Sequence, residues 1–519
     1  MGLNLTIIMT TTSENNKRIA KNTLLLYFRM LLTMLVSLYT SRVVLNALGV
    51  EDYGIYNVVG GVVAMFSILS SSLSAAISRF ITFELGRKDL DKLKRVFSSA
   101  VTIQIGLALI IILLAETIGL WFLNEKMVIP SERMTAANWV FQFSILTFAV
   151  HLISVPYNAA IIAHEKMSAF AYISILEVIG KLIVAFSIAI IPMDKLIYYG
   201  LLLMIIAVSI CLVYGIYCKK KFEECIFYLY FDRALLKQMF SFAGWNFIGA
   251  SSSVLRDQGG NLIINLFCGP AVNAARGIAI QVSHAIQGFV TNFMTALNPQ
   301  ITKSYASGNH DYMITLIFQG ARLSFYILLI LSLPVILNTH YILSLWLGVV
   351  PEHTVTFIQL VLIFAMSESL ANPLITAMLA TGNIRNYQLV VGGLQILNLP
   401  ISYLFLRVGY PPESVFIVAI VISIGCEIAR LYMLRKMINL PVLTFLKEVY
   451  FNVIIVSFSA TIIPCIIINR MEENFANLLL TSFLCVVCTS VSILYIGCKK
   501  NERTFILRKL QEVKNKIIN

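Results

Sequence analysis

Charged residues are scarce in this sequence, and acidic residues are scarcer than basic ones. Only 13% of the 519 residues are charged, with 26 Asp and Glu against 39 Lys and Arg, while 58% are hydrophobic. Apolar stretches of 20 or more residues recur along the chain, and each is long enough to cross a bilayer as a helix. The composition excludes a soluble globular protein and predicts an all-α polytopic membrane protein with about 14 transmembrane helices.

The chain also lacks the groupings that metal sites and catalysis require. Its nine cysteines are scattered, and no Cys or His cluster has the spacing of a metal site. Paired carboxylates, nucleotide-binding motifs and long extramembrane loops are missing, so we expect no catalytic residues, no cofactor and no metal. The segment Met1 to Thr12 lacks a basic region and a cleavage site, so no signal peptide is predicted.

Basic residues are distributed unevenly among the predicted loops. If both termini are cytoplasmic, 26 of the 39 Lys and Arg lie in cytoplasmic segments. This positive-inside pattern explains the net charge of +13 without nucleic acid as a partner. We therefore expect a multi-pass protein with both termini in the cytoplasm and with membrane lipids around it.

A duplication relates the two halves of the helical region. The segment around Pro156, VPYNAAIIAHEKM, aligns with the segment around Pro373, NPLITAMLATGNI, at an offset of 217 residues. The segment ELGRKD at Gly86 aligns with ASGNHD at Gly308 at an offset of 222 residues. Two six-helix repeats with the same orientation imply a two-fold axis along the membrane normal. Because proline kinks a helix, the equivalent residues Pro156 and Pro373 are candidate hinges.

The repeats predict four parts of the chain. Residues 1–221 form an N-lobe with spans 1 to 6, and residues 222–437 form a C-lobe with spans 7 to 12. Residues 438–497 add two helices, and residues 498–519 form a basic amphipathic tail suited to an anionic leaflet. Asp232 is a predicted N-cap for the helix that leads into span 7.

Polar side chains recur along spans 1, 2, 7 and 8, the first two helices of each repeat. Span 7 carries Asn261 and Asn265 beside its charged residues, and Asn273 begins the polar face of span 8. A cation in hydrocarbon costs at least about 3 kcal/mol, so it normally faces water, a counter-ion or an anionic ligand. The candidate substrate-binding residues are Arg29, Arg42, Arg79, Arg256, Arg276, His284 and Gln287.

Simpler roles are open for several of these residues. Polar and small residues also let helices pack closely, and arginines near span ends can extend their charge to the interface. Arg29, Arg42, Arg79 and Arg276 lie near such ends, and we expect Arg322 to behave in this way. Arg256 lies deepest, where an ion pair with Asp257 is the main alternative. Asp257 and Glu368 are the candidate residues for coupling transport to an ion.

Two segments resemble a known family. They are SRVVLNALGVEDYGIYNVVGGVVAMF at spans 1 and 2, and AGWNFIGASSSVL at the start of span 7. With the two six-helix repeats and two further helices, they resemble bacterial polysaccharide flippases of the Wzx type. These proteins share a superfamily with multidrug (MATE) exporters and lipid II flippases, and the resemblance covers nearly the whole chain.

The resemblance implies a function and a location. Such flippases move undecaprenyl-diphosphate-linked oligosaccharides, including O-antigen precursors of lipopolysaccharide, from the cytoplasmic to the periplasmic leaflet of the bacterial inner membrane. It implies that the basic residues hold the diphosphate and that polar faces hold the sugars during alternating access. Other polysaccharide-assembly proteins are the expected partners.

Two other functions are compatible with a polytopic membrane protein. A cation-coupled multidrug exporter of the MATE type is the nearer one, but it would favour an acidic lobe, whereas span 1 has two Arg and no Asp or Glu. A membrane enzyme of glycan assembly is the other, and the short loops argue against it. The glycan and the driving force, whether membrane potential, protons or sodium, are open.

Overall fold

The computed structural model describes the backbone of residues 2–504 and 511, except for residues 65–66, 126, 128, 193, 229–231, 348–349, 469–470 and 501. Side chains are described from residue 18 onward within these ranges, except for residues 38, 41–42, 45, 50–51, 54, 57–58, 61–62, 64, 67–69, 189 and 270. The side chain of Arg42 and most of the predicted tail helix therefore lie outside the described residues.

Helices form nearly all of the described chain, and no strand occurs within it. The helices of the first half are α1 (Gly2–Ala64), α2 (Ser67–Arg87), α3 (Leu90–Leu114), α4 (Leu120–Glu125), α5 (Met134–Ala163), α6 (Met167–Ile190) and α7 (Lys195–Lys221). The second half contains α8 (Arg233–Ala306), α9 (His310–Leu337), α10 (Thr339–Leu347), α11 (Thr354–Thr381), α12 (Arg385–Ile396), α13 (Asn398–Arg407), α14 (Ser414–Ile438), α15 (Val442–Phe445), α16 (Asn452–Ile468) and α17 (Phe475–Ser492). The all-α prediction is confirmed.

Eleven helical stretches among the described residues are long and apolar enough to cross a membrane. The predicted spans 2, 7 and 8 fall outside this apolar set, although α1, α2 and α8 supply helices at these positions. These are the spans with the most polar faces. Their crossing of the membrane therefore stays a prediction from the sequence.

Two glycines turn the chain at equivalent places in the repeats. Gly49 interrupts α1 with φ 82° and ψ 168°, and Gly269 interrupts α8 with φ 82° and ψ 177°. The two residues are 220 positions apart. Backbone of this kind is essentially restricted to glycine, since a Cβ would strain it. Each long helix is thus a pair of arms, and the matching turns support the duplication.

The next turn in each repeat corrects the alignment between the two repeats. Lys88 (φ 59°) and Gly308 (φ 76°) are the left-handed residues between α2 and α3 and between α8 and α9. Their separation is 220 residues, so the offset of 222 predicted at Gly86 is wrong by two. After Pro156 and Pro373 the left-handed residues are Glu165 and Gly382, 217 apart as predicted.

The helices pack into two compact units. Unit 1 comprises Met1–Ala250 and Thr295–Asn309, and unit 2 comprises Ser251–Met294 and His310–Asn519. The outer ends of α8 therefore belong to unit 1, and its middle, with the Gly269 turn, belongs to unit 2. The lobe boundaries at residues 221 and 437 follow from the duplication and stay predictions.

Each unit has its own apolar core. In unit 1, Val59 of α1 packs with Leu123 of α4 and Phe141 of α5. In unit 2 the two arms of α8 pack on α11 and α14 through Ile264, Ala275, Phe357, Leu362 and Val415. This packing fixes the arms of α8 beside each other and so positions their polar side chains.

Aspartate side chains cap the N-termini of three described helices, α3, α7 and α8. Asp232 accepts hydrogen bonds from the backbone N–H groups of Ala234 and Leu235 at 2.9 and 3.0 Å, which confirms the predicted N-cap of α8. Asp194 caps α7 in the same way through Leu196 and Ile197. Such caps satisfy backbone donors that the first helical turn leaves unpaired.

Candidate ligand-binding site

The arms of α8 bring two of the predicted arginines to one aspartate in unit 2. Arg256 Nε donates to Asp257 Oδ1 at 2.9 Å. Arg276 Nη2, from the other arm, donates to the backbone oxygen of Asp257 at 2.8 Å. Gly260 makes room for this approach, because a Cβ there would lie 3.3 Å from Arg276 Nη2. The three residues form what we call the arginine cluster.

The arginine cluster carries one positive charge in excess. The carboxylate of Asp257 pairs with Arg256, as the predicted ion-pair alternative has it, while Arg276 donates to the Asp257 backbone carbonyl and feels the carboxylate only through space. The guanidinium of Arg256 also lies 5.3 Å from the ring centroid of Phe364, and its side chain is 15% exposed against 59% for Asp257. An ion pair with one partner this exposed is worth up to about 1 kcal/mol, so an incoming anion could compete for it.

The second arm of α8 continues the polar surface. His284 and Gln287 are both exposed, and Gln287 Nε2 donates to Ser283 Oγ at 2.8 Å on the same helix. Exposed amide and imidazole groups on a transmembrane helix require a watery surrounding rather than lipid. This arrangement is compatible with their predicted place along a cavity.

A cleft of about 500 Å³ lies next to the arginine cluster in unit 2. It is lined by Gln258, Asn261, Leu262, Asn265, Leu266 and Asn273. Sequence reasoning named the three asparagines but missed Gln258, although its spacing of three residues from Asn261 places both on one helix face. The lining contains four carboxamides and no charge.

The arginines of unit 1 lie on aromatic rings. Arg29 Cζ is 4.6 Å from the ring centroid of Phe170, and its Nη1 donates to Ser174 Oγ at 3.4 Å. Arg79 lies over Phe80, Phe83 and Phe242 at 4.8, 4.4 and 5.7 Å. Rings stabilise a guanidinium electrostatically while its N–H donors point outward in its own plane. The side chain of Arg42 lies outside the described residues.

The remaining predicted residues lie on other helices, and the charge of Glu368 acts on Arg256 from there. Glu368 of α11 accepts a hydrogen bond from Ser423 of α14. Pro156 and Pro373 are buried inside α5 and α11, both of which continue through them. In the described part of the chain, no group of three or more His, Cys, Asp or Glu could hold a metal ion.

Two buried arginines have structural partners. Arg430 is 1% exposed and pairs with Glu427 at 3.2 Å. Arg322 is also buried, and its Nη2 lies 2.8 Å from Oε1 of Glu502, so the expectation that it extends to the membrane interface is wrong. Glu502 lies 180 residues away, so sequence spacing carries no sign of this pair.

Solved structures share this fold. One is a multidrug resistance MATE family transporter of the MOP superfamily in an outward-facing conformation, with a TM-score of 0.70 and 14% identity over 82% of this chain and 96% of that one. Another is a MOP superfamily transporter from Pyrococcus furiosus, with a TM-score of 0.66 and 15% identity over 82% and 96%. Identities this low establish the fold alone.

Sequence comparison supplies the family. The profile described as polysaccharide biosynthesis protein matches residues 19–305, more than half of the chain. The search of curated proteins finds no match. The fold is the one found in these solved membrane transporters. The chain therefore belongs to the polysaccharide biosynthesis protein family, and it shares its fold with solved transporters of the MOP superfamily.

Proposed function

We propose that this transporter moves an undecaprenyl-diphosphate-linked oligosaccharide from the cytoplasmic to the periplasmic leaflet of a bacterial inner membrane. The observation that carries the proposal is the arginine cluster, which holds two guanidinium groups and one carboxylate on the polar arms of α8. We infer further that both termini are cytoplasmic and that other polysaccharide-assembly proteins deliver or receive the glycan, such as an O-antigen unit.

The chemistry of the cluster suits a diphosphate better than a cationic drug. Guanidinium groups bind phosphate oxygens through two parallel hydrogen bonds, and such charge-assisted bonds are stronger than neutral ones. Arg276 donates to a backbone carbonyl rather than to a carboxylate, so an anion bound there would gain a charge-assisted hydrogen bond. Unit 1 has two arginines of its own, at positions 29 and 79.

Alternating access would carry the bound head group across while the lipid tail stays in the bilayer. Pro156 and Pro373 are proposed as matched hinges, since they lie within equivalent helices of the two repeats and each removes one backbone hydrogen bond. Asp257 and Glu368 are the residues we propose for coupling to an ion. For Asp257 this role follows from its exposure, because an exposed carboxylate beside Arg256 can exchange partners when an anion arrives.

Export assays in the native host test the proposal. We expect Arg276→Ala and Arg256→Ala each to lower surface glycan by about 10- to 100-fold at unchanged protein level, which is the range for one or two lost charge-assisted bonds. Lys181→Ala is the matched control, since Lys181 is a membrane cation already paired with Glu177 at 2.6 Å. Normal export in the double arginine variant would refute the proposal, and altered drug sensitivity instead would favour multidrug export.

A further inference from the structure

We propose that the amide-lined cleft of unit 2 binds the sugars of the substrate, directly beside the site for the diphosphate. This inference rests on the proposed function and adds a location for the glycan. The cleft measures about 500 Å³, within the range of small-molecule sites.

The lining has the chemistry that a neutral sugar needs. A carboxamide offers two N–H donors and a carbonyl acceptor, so Gln258, Asn261, Asn265 and Asn273 can serve hydroxyl groups in either role. The two leucines of the lining supply apolar surface for the C–H face of a sugar ring. A lining with no charge would neither attract nor repel a cationic drug. A hydroxyl-rich ligand, in contrast, would form hydrogen bonds with its carboxamide groups.

One amide is left unsatisfied by the protein itself. Asn273 Oδ1 is buried and has no hydrogen-bond partner. Buried polar atoms of native proteins are nearly always paired, so an orphan acceptor at the wall of a cleft calls for a ligand or water. The oxygen is not itself exposed to the cleft, so a sugar hydroxyl would reach it after the Asn273 side chain rotates.

The cleft continues from the arginine cluster along both arms of α8. Asp257, Asn261 and Asn265 follow one another at four-residue steps, and Asn273 lies three residues before Arg276. A four-residue step rises about 6 Å along the helix, and the three-residue step rises about 4.5 Å. A diphosphate at the cluster would therefore direct its attached sugars along the amides towards the Gly269 turn.

Binding to two lipids tests the site. Purified full-length protein in nanodiscs would be titrated with undecaprenyl diphosphate and with undecaprenyl-diphosphate-linked oligosaccharide extracted from the native host. We expect wild type to bind the glycan-bearing lipid about tenfold more tightly, and Asn261→Leu with Asn265→Leu to abolish this gain while leaving the affinity for undecaprenyl diphosphate unchanged. Asn386→Leu, at an exposed asparagine of α12, is the control and should keep the gain.

The outcomes separate the two proposals. A double variant that keeps the glycan-dependent gain overturns the sugar site and leaves the diphosphate site standing. Wild type that binds neither lipid overturns the proposed function, and the sugar site with it.

A separate observation concerns a carboxylate buried in unit 1. The side chain of Glu165, between α5 and α6, is 1% exposed. Its oxygens lie 2.7 Å from Arg18 Nε, 2.6 Å from Lys303 Nζ and 2.6 Å from Gln300 Nε2. From this network we infer a latch that fastens the end of the second repeat's span 8 to the first repeat.

Backbone strain and packing support a special role for Glu165. Its φ of 58° is left-handed, and the equivalent residue of the second repeat is Gly382, which adopts this conformation without strain. Nearby, Gly86 lets α2 and α8 touch, because a Cβ there would lie 2.9 Å from Lys303 Cα. The first repeat thus has a carboxylate at the position where the second repeat has glycine.

A transporter that takes its substrate from the cytoplasmic leaflet must separate its repeats on that side. The latch lies on the predicted cytoplasmic side, so its bonds must break in that step. Glu165→Gln should weaken two charged contacts and leave the fold of each helix intact.

Hydrogen–deuterium exchange of the full chain measures this opening. We expect Glu165→Gln to raise exchange several-fold at the ends of α2 and α8 and nowhere else, since local opening exposes those amides. Glu177→Gln, which removes a peripheral ion pair, should change neither end. Unchanged exchange at the end of α8 in Glu165→Gln would overturn the latch, and a uniform rise throughout the protein would show a purely structural role instead.

Discussion

The turn at Gly269 gives a prediction whose size follows from the backbone alone. With φ 82° and ψ 177°, this residue occupies a region where any other amino acid costs about 1–3 kcal/mol. A Cβ added there meets nothing within 4 Å, so Gly269→Ala introduces strain without a clash. Gly277, eight residues further along α8, is helical and equally open, and Gly277→Ala should gain up to about 1 kcal/mol from helix propensity.

The two alanine variants should therefore differ in unfolding free energy by about 2–4 kcal/mol although they lie in one helix. Denaturant unfolding of the purified protein in detergent measures the difference, with Gly49→Ala expected to match Gly269→Ala. Equal stability of the Gly269 and Gly277 variants would refute the argument from backbone strain. We also expect Gly269→Ala to lower export, because the turn places the carbonyl of Asp257 against Arg276.

Two further predictions concern charges far from the arginine cluster. Glu502→Gln should destabilise the protein by about 2–3 kcal/mol, because Arg322 stays buried without its carboxylate partner. Adding Arg322→Met to the same chain should recover much of this loss, and thermal unfolding of the two single variants and the double variant measures the recovery. Asp194 lies outside the membrane spans; burial would raise its pKa, but the hydrogen bonds from Arg133 and backbone N–H groups lower its pKa below the ordinary 3.8. Its stabilising effect is thus present above about pH 4 and fades as pH falls through the lower folded pKa, and Arg133→Gln should remove this acid dependence of the unfolding temperature.

Several features of the fold were predictable because their causes are local. The apolar stretches required helices, since a bilayer core offers backbone groups no other partners. Asp232 was recognisable as a cap from its place before a helical run. The duplication was visible from residues such as Pro156 and Pro373, while the offset at Gly86 was wrong because a short turn has few side chains to fix its alignment.

Other features depend on residues that are far apart in the sequence. Arg322 resembled an interfacial arginine until its partner Glu502 was known, and Glu165 gave no sign of importance beyond its charge. The same holds for the arginine cluster: the residue types on each arm were evident, but the meeting of Arg276 with the carbonyl of Asp257 depends on the Gly269 turn. Helical periodicity shows on which side of a helix a residue lies, but it does not show which side chain of another helix contacts that residue.

The sequence by itself determined the class of this protein: a basic, duplicated, all-helical membrane protein with polar faces on the first helices of each repeat. Composition and period suffice for that, because the bilayer constrains every span in the same way. Only the tertiary structure decided which charged side chains form ion pairs and where an excess of positive charge is left. The arginine cluster, the amide cleft and the Glu165 network each join segments through packing and turns, and such contacts are set by the assembled helices rather than by any one of them.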